Sequence, residues 1–168
     1  MVLLLVAAIW GGGFVSGKVA LEGFAPIALL MYRYVSSAVI LGVIFFRRIR
    51  KADRRTMLCG LGLGILQFTG IFIQMTALEY TTPAKQSFIA STYVCFTPLM
   101  AWIIFRVRPL VKDAIAAVVA VVGIGLISLN ADLSFQIGDP LTLGYACIFS
   151  VQIVLTAKFA REIDPLVL

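Results

Sequence analysis

Arg33 and Lys85 lie inside stretches otherwise built of leucine, valine, isoleucine, alanine and phenylalanine. A cation in such a setting is costly, and it is a functional-site candidate by default. Polar and aromatic side chains recur around both at helical spacing. Lys85, Gln86, Ile89, Thr92, Tyr93 and Phe96 share one broad helical face. Trp10, Phe14 and Lys18 recur every four residues, Gln67 and Gln74 are seven apart, and Tyr145, Phe149, Gln152 and Thr156 make a similar stripe. Aromatic walls with a few polar anchors are the usual composition of a small-molecule site. The substrate-binding candidates are therefore Trp10, Phe14, Arg33, Gln74, Lys85, Gln86, Tyr93 and Gln152.

Each of these residues also has a plainer explanation. Arg33 snorkels outward or satisfies backbone carbonyls, or else it is a fixed charge facing a cavity with Ser37 on its face. The Lys85 stripe faces protein or water because lipid offers it no hydrogen-bond partner, so it is either interhelical glue or a cavity wall. Lys18 and Glu22 are spaced to pair, which would make Lys18 structural. Catalysis has little to stand on. The chain has no histidine, no deeply placed carboxylate pair and no nucleophile with a base nearby in sequence. Cys59, Cys95 and Cys147 lack close-spaced Cys or His partners, so no metal, disulfide or cofactor is expected and each acts as a small apolar residue.

The elements that must carry these residues follow from hydropathy. Apolar blocks occupy 2–22, 26–46, 56–80, 83–105, 110–129 and 139–159, and another begins at Pro165. An apolar helix needs about 20 residues to cross a hydrocarbon core. With 61% hydrophobic and 13% charged residues, the expected fold is all-α: a polytopic transmembrane bundle of about six spanning helices plus the start of a seventh. Thr82-Pro83 and Asp139-Pro140 each read as a capping side chain followed by proline at the first helical position. Pro98 lies well inside its block and predicts a kink through loss of the bond to the Val94 carbonyl. Short connections predict that sequential helices are antiparallel neighbours. The glycines at 11–13 serve close packing, or they loosen the first helix near a substrate path.

The charge of +6 is unevenly placed. Arg47, Arg48, Arg50, Lys51, Arg54 and Arg55 fall between the second and third blocks, Arg106, Arg108 and Lys112 between the fourth and fifth, and Lys158 and Arg161 after the sixth. The alternate connections at 23–25, 81–82 and 130–138 hold no Lys or Arg. This is read as a topology signal in preference to a nucleic-acid or anionic-lipid site. It predicts a cytoplasmic N-terminus and cytoplasmic basic loops in a multi-pass plasma-membrane protein with no nucleic-acid partner. Arg33 and Lys85 both stand within about two turns of the outer surface. The sequence shows no deep acid between them, although Glu22 and Glu79 lie near helix ends. Two such charges favour an anionic or zwitterionic solute.

The run Trp10-Gly11-Gly12-Gly13-Phe14, with Lys18 and Pro26 after it, resembles the first helix of the drug/metabolite transporter superfamily, EamA type. Arg33-Tyr34 is similar to the Arg-aromatic pair of that family's second helix. Tyr80-Thr81-Thr82-Pro83-Ala84-Lys85-Gln86-Ser87-Phe88, then Tyr93 and Pro98, is the most specific likeness, and Gly123 falls where the family has a glycine. One departure is Arg106-Val107, where many members have Gly-Glu.

The resemblance implies ten helices in two inverted five-helix repeats. Residues 1–130 would be the first repeat and 138–168 the truncated start of the second. A weak internal match pairs Trp10 with Phe149, Phe14 with Ile153 and Pro26 with Pro165. The expectation is an N-terminal portion of a transporter, exporting or exchanging amino-acid-like or other small anionic or zwitterionic solutes. Its partners are that solute, the lipid bilayer, and either the missing C-terminal repeat or a second copy in a homodimer. The competing class is a membrane scaffold that packs against other helices and moves nothing. A scaffold would bury the polar and aromatic faces dry, whereas a transporter would leave them around a wet cavity.

Overall fold

The computed structural model describes residues 2–106, 110–112, 115, 117–119, 122 and 136–164, and every regular element among them is helical. In chain order these are α1 (Val2–Leu21), α2 (Pro26–Ile44), α3 (Phe46–Ile49), α4 (Arg54–Glu79), α5 (Pro83–Ala90), α6 (Tyr93–Phe105) and α7 (Gly138–Phe159). α5 and α6 together make one crossing, so five candidate membrane spans are described. Of the helix expected over 110–129 only residues 110–112, 115, 117–119 and 122 are described, while the connection at 130–135, Gly123 and the block opening at Pro165 lie outside the described residues.

Local chemistry accounts for most boundaries. Asp53 caps α4: its carboxylate accepts from the Thr56 N–H at 3.2 Å and from the Thr56 hydroxyl. The hydroxyl bond, more than the backbone one, holds the Asp53 carboxyl below its ordinary range. Thr82 caps α5 by accepting from the Lys85 N–H at 3.3 Å, with Pro83 at the first helical position. At α7 the expectation needs correction. The helix begins at Gly138 with Ile137 as its flanking residue, and Asp139 sits inside the first turn, its carboxylate accepting from the Gln136 N–H at 2.9 Å.

The fourth crossing is also interrupted where the sequence suggests no break. Pro98 lies within α6, and the interruption falls at Ser91–Thr92, near the middle of the crossing. Three hydroxyls there turn back on local carbonyls: Ser87 on Ala84, Ser91 on Ser87 and Thr92 on Ile89. They offer the carbonyls an alternative to the helical ladder, which weakens it where they cluster.

Among the described residues successive helices touch, and the most extensive packing is that of α7 against α4, α6 and α5. The core is Leu30 of α2, Ile71, Met75 and Leu78 of α4, Ala90 of α5, and Tyr145 and Phe149 of α7. Small residues permit the approach of α4 to α7. A methyl on Gly70 would touch Ile148 and Tyr145 at 3.4–3.6 Å, and one on Gly138 would stand 2.6 Å from the Ala77 carbonyl oxygen, so only glycine fits there. α1 and α2 instead show most of their apolar surface outward, as expected of helices that face lipid.

Both ends of the bundle have recognisable electrostatics. At one end Arg48 pairs with Asp164 at 3.1 Å, Arg55 pairs with Glu162, and the Lys158 ammonium lies 4.4 Å from the Phe105 ring centroid. The basic segments after α2, α6 and α7 therefore share one end. At the other, the Lys18 ammonium donates to the carbonyls of Leu78 (2.6 Å), Glu79 (3.3 Å) and Thr81 (3.1 Å). It closes the C-terminus of α4, where unsatisfied carbonyls and the helix dipole favour a cation. This replaces the expected Lys18–Glu22 pair, which does not form among the described residues.

Arg106 ends α6 in the left-handed conformation (φ 55°, ψ 25°), its N–H bonded to the Trp102 carbonyl at 2.8 Å. This is the position where the resemblance has glycine. A side chain in that conformation costs on the order of 1 kcal/mol. Arg106→Gly is expected to raise unfolding stability in detergent by about that amount. A thermal or denaturant melt no more stable than wild type would count against it.

Candidate functional site

The face of α1 that carries Val6, Ile9, Trp10, Gly13 and Phe14 repeats at three- and four-residue spacing, so these side chains stand above one another. Ile71, Gln74 and Met75 do the same on α4. Between these faces and Arg33 of α2 lies a cavity of about 320 Å³. Its walls are apolar and aromatic, and its polar groups are the Arg33 guanidinium and Gln74. Arg33 is exposed and Trp10 is 51% exposed, so the cavity is open on one side. A methyl on Gly13 would meet nothing within 4 Å, which makes this glycine part of the space itself. At Gly17, one turn on, a methyl would instead meet Leu78 and Met75 at 3.5–3.6 Å.

Four of the expected site residues, Trp10, Phe14, Arg33 and Gln74, line this cavity. Tyr93 does not, but it is linked to it through Phe149. That ring meets Tyr93 edge-on at 5.0 Å, Trp10 edge-on at 5.8 Å and Tyr145 in a stack at 5.4 Å. Aromatic pairs of this kind each contribute about 0.5–1.5 kcal/mol beyond burial, so the cluster ties α1, α6 and α7 together and fixes the Trp10 wall. Gln152 is half-buried on α7, one turn from Phe149, and is not among the cavity-lining residues.

Lys85 and Gln86 are engaged elsewhere. Gln86 is fully buried and its amide donates to the Gln74 carbonyl at 2.6 Å, joining α5 to α4. The Lys85 ammonium lies 2.7 Å from Oδ2 of Asp139, with both side chains nearly enclosed (10% and 12% exposed). This overturns the expectation of two uncompensated cations, because Lys85 has a carboxylate partner on α7. Arg33 forms no ion pair among the described residues. Asp139 was missed as a site residue because its place beside Pro140 reads as a simple cap. The signal that could have found it is topological: α5 and α7 start at the same end of the bundle, and Lys85 and Asp139 both sit in their first turns.

Helices of this length and hydropathy around an interhelical cavity define a multi-pass membrane protein. The family model of the EamA-like transporter family matches residues 1–129, and the chain belongs to that family. It is similar to an uncharacterized transporter of Archaeoglobus fulgidus, with 32% identity over 167 residues covering 99% of this chain. The chain spans about half, 51%, of that relative's length. No solved structure gives a significant match.

Proposed function

We propose that this chain forms one wall of a transport pathway for small amino-acid-like or other carboxylate-bearing solutes, and that it acts by moving solute and not by catalysis. The observation that carries the proposal is the cavity between α1, α2 and α4, with Arg33 as its cation and Trp10 and Phe14 on its wall. A guanidinium binds a carboxylate through paired charge-assisted hydrogen bonds. The aromatic faces suit an ammonium group or an apolar side chain. Because Asp139 compensates Lys85, the site favours a zwitterion or a monoanion over a multiply charged anion.

The open side of the cavity calls for a further wall, from helices beyond this chain or from a second copy. Residues 1–130 are read as a first repeat and 138–168 as the opening of a second, with the substrate path between them. The concentration of Arg and Lys in the connections at one end of the bundle supports a cytoplasmic N-terminus, and the plasma membrane is proposed as the protein's place.

The test is counterflow of labelled neutral amino acids and small carboxylates in liposomes, comparing the native gene product with residues 1–168 alone. Saturable flux by the native product, and much weaker flux by 1–168, is expected. Equal flux by the 168-residue chain would establish that it works alone or as a dimer. The absence of flux in both would favour the scaffold reading. A reporter fused at Ala52 should be inaccessible from outside intact cells, and labelling there would reverse the orientation.

A further inference from the structure

The basic end of the bundle carries a feature that substrate transport does not use. α2 stops at Phe45, whose backbone (φ −101°, ψ 13°) turns the chain into the short α3. Across this bend Ala38, Val39, Gly42, Val43, Phe46 and Ile49 line an open apolar trough of about 500 Å³. Gly42 is its floor, since a methyl there would meet nothing within 4 Å. Phe46 and Ile49 remain 58% and 42% exposed at its basic end.

The charges beyond that end are not all used within the protein. Arg48 and Arg55 are paired with Asp164 and Glu162, whereas Arg47, Arg50 and Lys51 are exposed and form no ion pair among the described residues. Arg50 donates its N–H to the Phe46 carbonyl at 3.0 Å, which sets it one turn beyond Phe46 on the trough's side.

We infer that this trough and the cation beyond it form a site for one anionic phospholipid, with an acyl chain lying over Gly42 and the phosphate held by Arg50. Charge and shape together select the occupant. A second copy of the chain would bring like charge to the same place, and a nucleic acid would use the cations but leave the apolar trough empty. An anionic lipid satisfies both halves, and cations at a membrane boundary attract such headgroups.

The test is native mass spectrometry of the detergent-released chain, equilibrated with equimolar phosphatidylglycerol and phosphatidylcholine. Wild type should retain one phosphatidylglycerol with a preference of about tenfold. Arg50→Gln should bring that preference close to unity, and Arg50→Lys should keep most of it. Gly42→Leu fills the trough without touching a charge and should cut phosphatidylglycerol retention several-fold. An unchanged preference in Arg50→Gln would overturn the headgroup assignment. Undiminished retention in Gly42→Leu would overturn the site itself, leaving charge alone or another part of the protein as the trough's occupant.

Discussion

Gly13→Leu in the native protein is expected to cut solute flux at least about tenfold at unchanged membrane abundance. Gly13 forms part of the α1 wall of the cavity, and a side chain added there meets no neighbour before entering the open space. The substitution also improves helix propensity, by about 0.8 kcal/mol in soluble hosts, so lost flux would not follow from a weakened helix. Gly12→Leu is the matched control. It too has open space around its added carbon, but it does not line the cavity, and it should transport nearly as wild type does.

Arg33→Gln completes the experiment. Hydrogen bonds to a charged group contribute about 1.5–3 kcal/mol, so carboxylate-bearing solutes should lose roughly 10- to 150-fold in apparent affinity. Analogues lacking the carboxylate should lose little. If Gly12→Leu and Gly13→Leu behave alike, or if Arg33→Gln affects both kinds of solute equally, the cavity is not the solute site.

The second large effect concerns stability. Lys85→Met alone is expected to destabilise the protein by about 3–5 kcal/mol, because it leaves the Asp139 carboxylate without its cation in a nearly enclosed place, and Asp139→Leu alone is expected to destabilise it as well by removing the ion pair. The double variant should recover most of that loss, since the desolvation cost of both ions disappears with them. Among the described residues Oδ1 of Asp139 and Oε1 of Gln136 are buried without a hydrogen-bond partner, so these surroundings satisfy the carboxylate incompletely and its pairing with Lys85 matters more. A double-mutant cycle of thermal or denaturant unfolding in detergent would measure the coupling. Additive single effects would show that the two side chains do not depend on one another, and the pair would lose its role as the tie between α5 and α7.

Much of this protein was legible one helix at a time. Block length and hydropathy locate α1, α2, α4, the α5–α6 crossing and α7, because spanning a hydrocarbon core is a condition on local composition. Thr82-Pro83 announces its helix start for the same local reason. Helical spacing places Trp10 and Phe14 on one face of α1, and the resemblance carried by Trp10–Phe14 and by Tyr80–Phe88 named the family that the chain's match to it establishes.

Tertiary structure decided what those residues touch. Lys18 is four residues from Glu22, yet it turns to the carbonyls that end α4, because a helix terminus with several unsatisfied acceptors offers more than one exposed carboxylate. Lys85 finds Asp139 across an interval that holds an entire further block, and no periodicity within α5 encodes that meeting. The fourth crossing is interrupted at Ser91–Thr92, a place the sequence did not mark. Proline has a strong local rule, whereas the combined effect of three hydroxyls depends on which carbonyl each one reaches. The cavity belongs wholly to this second kind of information. The sequence by itself singled out Trp10, Phe14, Arg33 and Gln74 among its lining residues, but Val6, Ile9, Ile71 and Met75 read there as ordinary apolar positions, and which faces oppose one another depends on packing between helices distant in the chain.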